Sequence, residues 1–134
     1  MKELINIGDY AITGEQVDCK LTHTFSNGIY MRQVEIPKDS LIEGKRHREE
    51  TINILLKGKM SIIDGDTRIV LEAPCIFTSD KFTKKIGYAH EDSIWVNVHH
   101  TFSTDLEQIE KQFIIEEDEY KQLTYEESKC LGLQ

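Results

Sequence analysis

Several absences in the sequence exclude whole classes of protein. No apolar run approaches the roughly 20 residues that a membrane-spanning helix needs, and the opening "MKELINIGDY" lacks the apolar core and cleavage site of a signal peptide. The three cysteines (Cys19, Cys75 and Cys130) are far apart, odd in number and without a CxxC spacing. That usage favours reduced thiols over a disulfide framework. We therefore expect a cytoplasmic protein without a membrane partner.

Basic charge is also scarce. The net charge is −8, and residues 103–134 alone hold nine acids and three lysines. An acidic chain of this kind is not an ordinary nucleic-acid binder, so no nucleic-acid partner is expected. The sequence also contains neither a G-x-S-x-G nucleophile elbow nor a phosphate-binding P-loop.

What the sequence does contain is a series of short alternating segments separated by turns. At 134 residues the chain suits one domain. Asn27-Gly28 and Asp64-Gly65 are strong turn signals because both positions tolerate positive φ. The expected strands are 17–25, 29–36, 51–56, 59–64, 67–71, 74–79 and 93–100. Strands at this spacing without a long intervening helix predict an all-β sandwich or barrel over about residues 15–101.

The pattern changes over residues 103–134, where we predict a C-terminal helical extension. Thr104 and Glu107 have the spacing of a capping box, and Leu106, Ile109 and Phe113 follow at helical spacing. A second box, Thr124 with Glu127, precedes a short helix that Gly132 would close.

Two stretches carry a recognisable pattern: "GKRHREETINILLKGK" (44–59) and "APCIFTSDKFTKKIGYAHED" (73–92). They resemble the two motifs of the cupin superfamily, which face each other across a small antiparallel barrel and in many members supply three metal ligands and one further histidine. Anchored on Gly58, the comparison puts His47 on one ligand position. Lys45 stands at another histidine position and Thr51 at the glutamate position. Lys84 or Lys85 stands at the second-motif histidine.

The wider pattern, over about residues 28–115, resembles a group of small cupins frequent in tailed-bacteriophage genomes. The resemblance implies a cupin-type antiparallel β-barrel (jelly roll) with short C-terminal helices. It also implies a phage-encoded protein working in the host cytoplasm. We further expect a homodimer, because open strand edges would otherwise invite uncontrolled association.

The lysines at ligand positions favour a metal-poor pocket for an anion. An ammonium does not ligate a metal while charged, but it stabilises a phosphate or carboxylate. Phase along the strands predicts that His47, Asn53 and His99 face one cavity. Tyr88 is predicted at its rim, because "IGYAHED" is interpreted as a turn that leaves a strand. The candidate ligand-binding residues are Arg32, Lys45, His47, Asn53, Lys85, Tyr88 and His99.

Three functions stay open from the sequence. The first is a non-enzymatic binder of a small anion, such as a nucleotide or a metabolite that signals in a host, with no cofactor. The second is a metal-dependent enzyme with isomerase or dioxygenase-like chemistry, in which His47, Glu50 and His99 hold a divalent transition metal. There a bulge would turn Glu50 inward. The third is a virion or assembly protein that uses the barrel as a scaffold and the acidic tail for docking.

Overall fold

The computed structural model describes residues 18–130, which form two antiparallel β-sheets followed by two helices. Sheet A has the strand order β1-β2-β9-β4-β7, and sheet B has the order β3-β8-β5-β6. The nine strands of this part of the chain are β1 (Lys20–Ser26), β2 (Ile29–Ile36), β3 (Leu41–Glu43), β4 (Thr51–Lys57), β5 (Lys59–Asp64), β6 (Thr67–Glu72), β7 (Cys75–Ser79), β8 (Lys85–Ala89) and β9 (Ser93–His100). The all-β architecture predicted from the sequence is confirmed.

Two of these strands were not predicted. The short β3 has no alternation long enough to recognise. β8 lies in "KKIGYAHED", where a turn was predicted from the sequence. Gly87 packs closely against the core, since a Cβ there would lie 3.0 Å from Met60 Cε and 3.1 Å from Ile62 Cδ1 and these side-chain ends would have to shift.

The core lies between the inner faces of the two sheets. Val34 on β2, Leu55 on β4 and Met60 on β5 belong to one buried cluster, with Trp95 of β9 packed against it. Because side chains alternate along a strand, the residues two and four positions before Val34 and Leu55 also face inward, as do those two and four positions after Trp95. The strand alternation that buries these core residues therefore also decides which polar side chains face the barrel interior.

A register shift in the β4–β9 pairing lies between Leu55 and Lys57. The bulge that would have turned Glu50 inward is absent, because pairing is regular from Ile52 to Leu55 and Glu50 precedes β4 as an exposed residue.

The helical extension is present, but both helix starts differ from the prediction. Helix α1 spans Leu106–Phe113, and its N-cap is Asp105 rather than Thr104, since the Asp105 carboxylate accepts from the backbone N–H groups of Glu107 and Gln108. Helix α2 spans Glu117–Cys130 and begins before Thr124. The Thr124 hydroxyl donates to the Tyr120 carbonyl one turn earlier, so it lies inside the helix rather than capping it. Gly132 lies outside the described residues.

Neither α1 nor α2 is long and apolar enough to pass through a membrane.

Gly58, at the turn between β4 and β5, is expected to be intolerant of any side chain. Its φ is +96°, and a Cβ would lie 2.1 Å from Ser93 Oγ and 2.7 Å from the Asp92 carbonyl oxygen. Gly58→Ala should therefore lower the free energy of unfolding by more than about 2 kcal/mol, through left-handed strain and collision with backbone. Gly65→Ala is the matched control, because Gly65 has φ +60° but nothing within 4 Å. Gly65→Ala should lower the free energy of unfolding by only about 1 kcal/mol. Urea denaturation measures both, and equal losses would contradict the steric argument.

Candidate functional site

A polar layer lies directly above the apolar core inside the barrel. Arg32 pairs in register with Asn97, and Asn97 pairs with Asn53. The Asn97 Nδ2 donates to Asn53 Oδ1 over 2.8 Å, and the Asn53 Nδ2 donates to Ser79 Oγ over 3.1 Å. Asn53 is 1% exposed. The inner face of sheet A therefore carries a connected row of hydrogen-bonding groups.

Lys85 joins this row from the opposite sheet. Its Nζ donates to Ser79 Oγ over 3.0 Å, and burial lowers its pKa, partly offset by Asp64 on the paired strand. Lys84 instead pairs with Glu43 at 2.9 Å and with Glu117 at 3.7 Å. Of the two lysines left open by the sequence, Lys85 is thus the one that enters the barrel. The motif comparison left either lysine at the position of the second-motif histidine.

A layer of rings lies above the polar layer. The His99 ring stacks with Tyr30, His47 and Phe113 at centroid distances of 6.0, 5.5 and 4.4 Å. The Tyr30 hydroxyl is hydrogen-bonded to His23 Nδ1 at 2.7 Å. The predicted cavity-facing set of His47, Asn53 and His99 is therefore brought to one end of the barrel, together with Arg32 and Lys85.

Both inner histidines are uncharged near neutral pH. Burial lowers the pKa of His47 to about 4, and His99, Lys85 and Arg32 act in the same direction. Burial also lowers the pKa of His99 to about 4, with Arg32 adding to the effect. The fixed positive charge of this region therefore comes from Arg32 and Lys85, with neutral imidazoles beside them.

The segment joining α1 and α2, residues 113–117, closes this end of the barrel. The Arg48 N–H donates to the Phe113 carbonyl over 2.8 Å, and the Ile115 N–H donates to the Arg46 carbonyl over 2.9 Å. His47 and Ile114 form an isolated antiparallel bridge between these bonds. We call residues 113–117 the strap.

Ion pairs hold the helices at either end of the strap. Lys45 pairs with Glu110 on α1, and its side chain is 65% exposed. Arg48 pairs with Glu119 at 2.7 Å. The Arg46 guanidinium lies 3.8 Å from the Tyr120 ring centroid, donates to the Phe82 carbonyl over 2.6 Å and pairs with Glu117 at 3.2 Å.

The predicted inward position of Lys45 is therefore wrong. Lys45 lies in a loop rather than in a strand whose alternation would direct it, and its ammonium pairs with Glu110 outside the barrel. A groove of about 320 Å³ runs past Lys45, Arg46 and Lys84 beside the strap. All three of these cations are paired with carboxylates.

Tyr88 is also misplaced in the sequence-based prediction. It lies within β8, one residue out of phase with the inward Gly87, and packs with Leu41, Ile63 and Ile86 in a cluster separate from the core. Its hydroxyl donates to Asp39 Oδ1 over 2.7 Å. Tyr88 therefore faces away from the barrel interior.

The residues of this region do not fit a metal centre. Among the side chains that the structure describes, those of residues 18–127, no three from His, Cys, Asp or Glu are placed to hold a metal ion together. The set of His47, Glu50 and His99 is not assembled, because Glu50 is exposed and only the two histidines meet. Lys85 supplies an ammonium where a further ligand would be needed.

Three residues of the candidate site were not predicted from the sequence. Ser79 was noted only as a departure from the second motif, and Asn97 only for sharing the phase of His99. Phe113 was assigned to the apolar stripe of a helix. The alternation of Trp95, Asn97 and His99 was a usable signal for Asn97. No local pattern indicates that a helix terminus returns to the barrel mouth.

No protein-family model matches this sequence, and no curated protein matches it either. Solved structures do. KdgF from Halomonas sp. superposes with a TM-score of 0.56 at 13% identity, over 69% of this chain and 90% of that one. A cupin-2 domain protein from Shewanella frigidimarina superposes with a TM-score of 0.50 at 15% identity, over 73% of this chain and 95% of that one. A cupin superfamily protein from Desulfitobacterium hafniense superposes with a TM-score of 0.54 at 11% identity, over 74% of this chain and 90% of that one.

These likenesses define the architecture as a cupin fold. The chain is a small protein built on that jelly roll, with two helices added after the last strand.

We expect stability to fall between neutral pH and pH 5 because of His47 and His99. The unfolded chain protonates its histidines near pH 6.5 and the folded chain only near pH 4, so the unfolded state binds more protons between these values. Stability is therefore full above about pH 6.5 and declines as the pH falls. At pH 5 each of the two histidines should lower the free energy of unfolding by roughly 2 kcal/mol relative to neutral pH.

Urea denaturation at pH 7 and pH 5 measures this difference. His47→Gln should reduce the pH dependence by roughly 2 kcal/mol, whereas His100→Gln, at an exposed position of β9, should leave it unchanged. An unchanged pH dependence in His47→Gln would refute the assignment.

Arg46 is expected to hold α2 against the barrel. Arg46→Ala removes a charge-assisted hydrogen bond, an ion pair and a cation–π contact at once, so amide exchange over residues 117–127 should accelerate by about tenfold or more. Lys45→Ala, which removes one exposed ion pair, should change exchange there little. Hydrogen–deuterium exchange at pH 7 measures both, and equal protection in the two variants would contradict this role.

Proposed function

We propose that this chain is a non-enzymatic small-molecule-binding cupin whose barrel interior takes an anionic ligand without the help of a metal. The observation that carries the proposal is that two cationic side chains, Arg32 and Lys85, lie at one end of the barrel with neutral imidazoles and amides around them. Electrostatic attraction in a partly desolvated site of this kind favours a phosphate or a carboxylate.

The pairing of four other cations near this end of the barrel supports this choice of residues. Lys45, Arg46, Arg48 and Lys84 each form an ion pair with a carboxylate. Among the described residues, no hydrogen bond or ion pair engages the Arg32 guanidinium, and Lys85 donates to a neutral hydroxyl. Arg32 and Lys85 therefore keep their charge available for an anion.

The geometry also supports binding of a ligand with several polar groups. The buried Asn53 amide donates to Ser79 and accepts from Asn97, which holds both of these polar side chains in place. A site whose polar groups are already oriented loses little entropy on binding. A nucleotide or another phosphorylated metabolite has the charge and the hydrogen-bonding groups that this layer would contact.

The bacteriophage source and the capture of a host signal are part of this proposal and rest on the sequence resemblance. The homodimer stays a prediction. Ile52, Leu56 and Ile76 are 43%, 54% and 72% exposed on the strands β4 and β7, and apolar groups at that sheet edge are compatible with a contact between two copies.

Binding of AMP, used as a phosphate-monoester probe, tests the charge requirement. Isothermal titration calorimetry should show that AMP binds and that uncharged adenosine binds at least about tenfold more weakly. Arg32→Gln and Lys85→Gln should each weaken AMP binding by about tenfold or more, because each removes a charged partner from a shielded site.

Two matched variants serve as controls. Lys84→Gln changes the neighbouring lysine outside the barrel, and Arg68→Gln changes an exposed arginine on β6. Both should bind AMP with unchanged affinity. Equal affinity for AMP and adenosine, or unchanged AMP binding in Lys85→Gln and Arg32→Gln, would overturn the anion site.

A further inference from the structure

The His99 imidazole is the point where the barrel meets the C-terminal extension. Its nearest ring partner is Phe113, with a centroid distance of 4.4 Å and an interplanar angle of 28°. Phe113 is the last residue of α1 and belongs to no barrel strand. The inner imidazole is therefore stacked by a ring that the chain delivers from outside the barrel.

The strap holds the Phe113 backbone more firmly than its side chain. The Phe113 carbonyl accepts from Arg48, and on either side of the strap the ion pairs of Lys45, Arg46 and Arg48 hold α1 and α2. None of these contacts involves the phenyl ring. A change of rotamer can therefore move the ring away from His99 while the strap stays paired.

The space around His99 combines ring faces with positive charge. Tyr30 and His47 present further rings within 6.0 Å of the His99 centroid. Arg32, on the polar layer next to this ring layer, acts electrostatically on both histidines. Aromatic side chains stack on any flat ring, and a nearby cation selects those rings that carry an anionic group.

We infer that the ligand of this site is a planar aromatic anion, and that Phe113 occupies the place against His99 that the ring of this ligand takes. The inference rests on the anion site proposed above and narrows its ligand class. The anionic group lies toward Arg32 and Lys85, while the ring stacks on His99. Phe113 is then a competitor of the ligand and not a wall of its site.

The two roles of Phe113 predict opposite results. If Phe113 lines the site, its removal weakens binding. If Phe113 competes for His99, its removal tightens binding, because the apparent affinity is reduced by the fraction of molecules in which the ring is away. With the ring away about one-tenth of the time, Phe113→Ala should tighten AMP binding about tenfold.

Two pairs of probes of equal charge isolate the contribution of the ring. AMP should bind at least about tenfold more tightly than ribose 5-phosphate, and benzoate should bind more tightly than cyclohexanecarboxylate. Phe113→Ala should raise the affinity for AMP and change the affinity for ribose 5-phosphate by no more than about twofold. Phe102→Ala is the matched control, since Phe102 is 73% exposed and packs edge-on against His100 outside the site.

A measurement on the unaltered chain covers the case in which Phe113→Ala folds poorly. Nuclear Overhauser contacts between the Phe113 ring and the His99 imidazole should disappear on saturation with AMP, and contacts between adenine and His99 should replace them. Persistence of the Phe113 contacts with AMP bound would overturn the displacement.

The remaining outcomes separate this inference from the proposed function. Equal affinities for AMP and ribose 5-phosphate would overturn the aromatic ligand and leave the anion site standing. Weaker AMP binding in Phe113→Ala would overturn the competitor role. Failure of all four anions to bind would overturn the anion site and this inference together.

Discussion

The Lys85 ammonium inside the barrel is the constraint on which the rest of the site depends. A positive charge facing inward is costly unless polar groups solvate it. Here the Lys85 ammonium donates a hydrogen bond to Ser79 Oγ, Asn53 donates to the same oxygen, and Asn97 donates to Asn53. Burial, together with nearby positive charge, lowers the pKa of His47 and keeps it uncharged at neutral pH. Lys85 thus accounts for the polar row around it, whereas the described residues lack a metal-binding set because Glu50 is exposed and only His47 and His99 meet.

The uneven charge of the chain has a structural counterpart at the barrel mouth. Basic residues concentrated in 45–48 face acids of the C-terminal helices, where Glu110, Glu117 and Glu119 form ion pairs with them. Exposed pairs of this kind contribute little individually, so the backbone bonds of the strap and the buried Ile115 carry more of the attachment. Part of the acidity that suggested a docking tail is therefore used within the chain.

Most of the fold and about half of the candidate site were predictable from sequence. Period-two alternation and Asn-Gly or Asp-Gly turns located seven of the nine described strands, and phase along β4 and β9 brought Asn53 and His99 to one face. Lys45 and Tyr88 were misplaced for different reasons. Lys45 precedes the strand whose alternation would direct it, and Tyr88 was assigned to a turn although Gly87 allows a strand there to pack closely.

The sequence by itself determined an antiparallel all-β domain and the polar side chains on the inner face of its strands. These two properties follow from local alternation and residue type, which act within a few positions of the chain. The jelly roll, and the lysines at positions where other cupins have metal ligands, were implied by the family resemblance. Only the tertiary structure decided that Lys85 rather than Lys84 enters the barrel, because a one-residue change of register exchanges them. Only the tertiary structure could show Phe113 against His99, since that contact depends on how α1 returns to the barrel mouth after β9 ends.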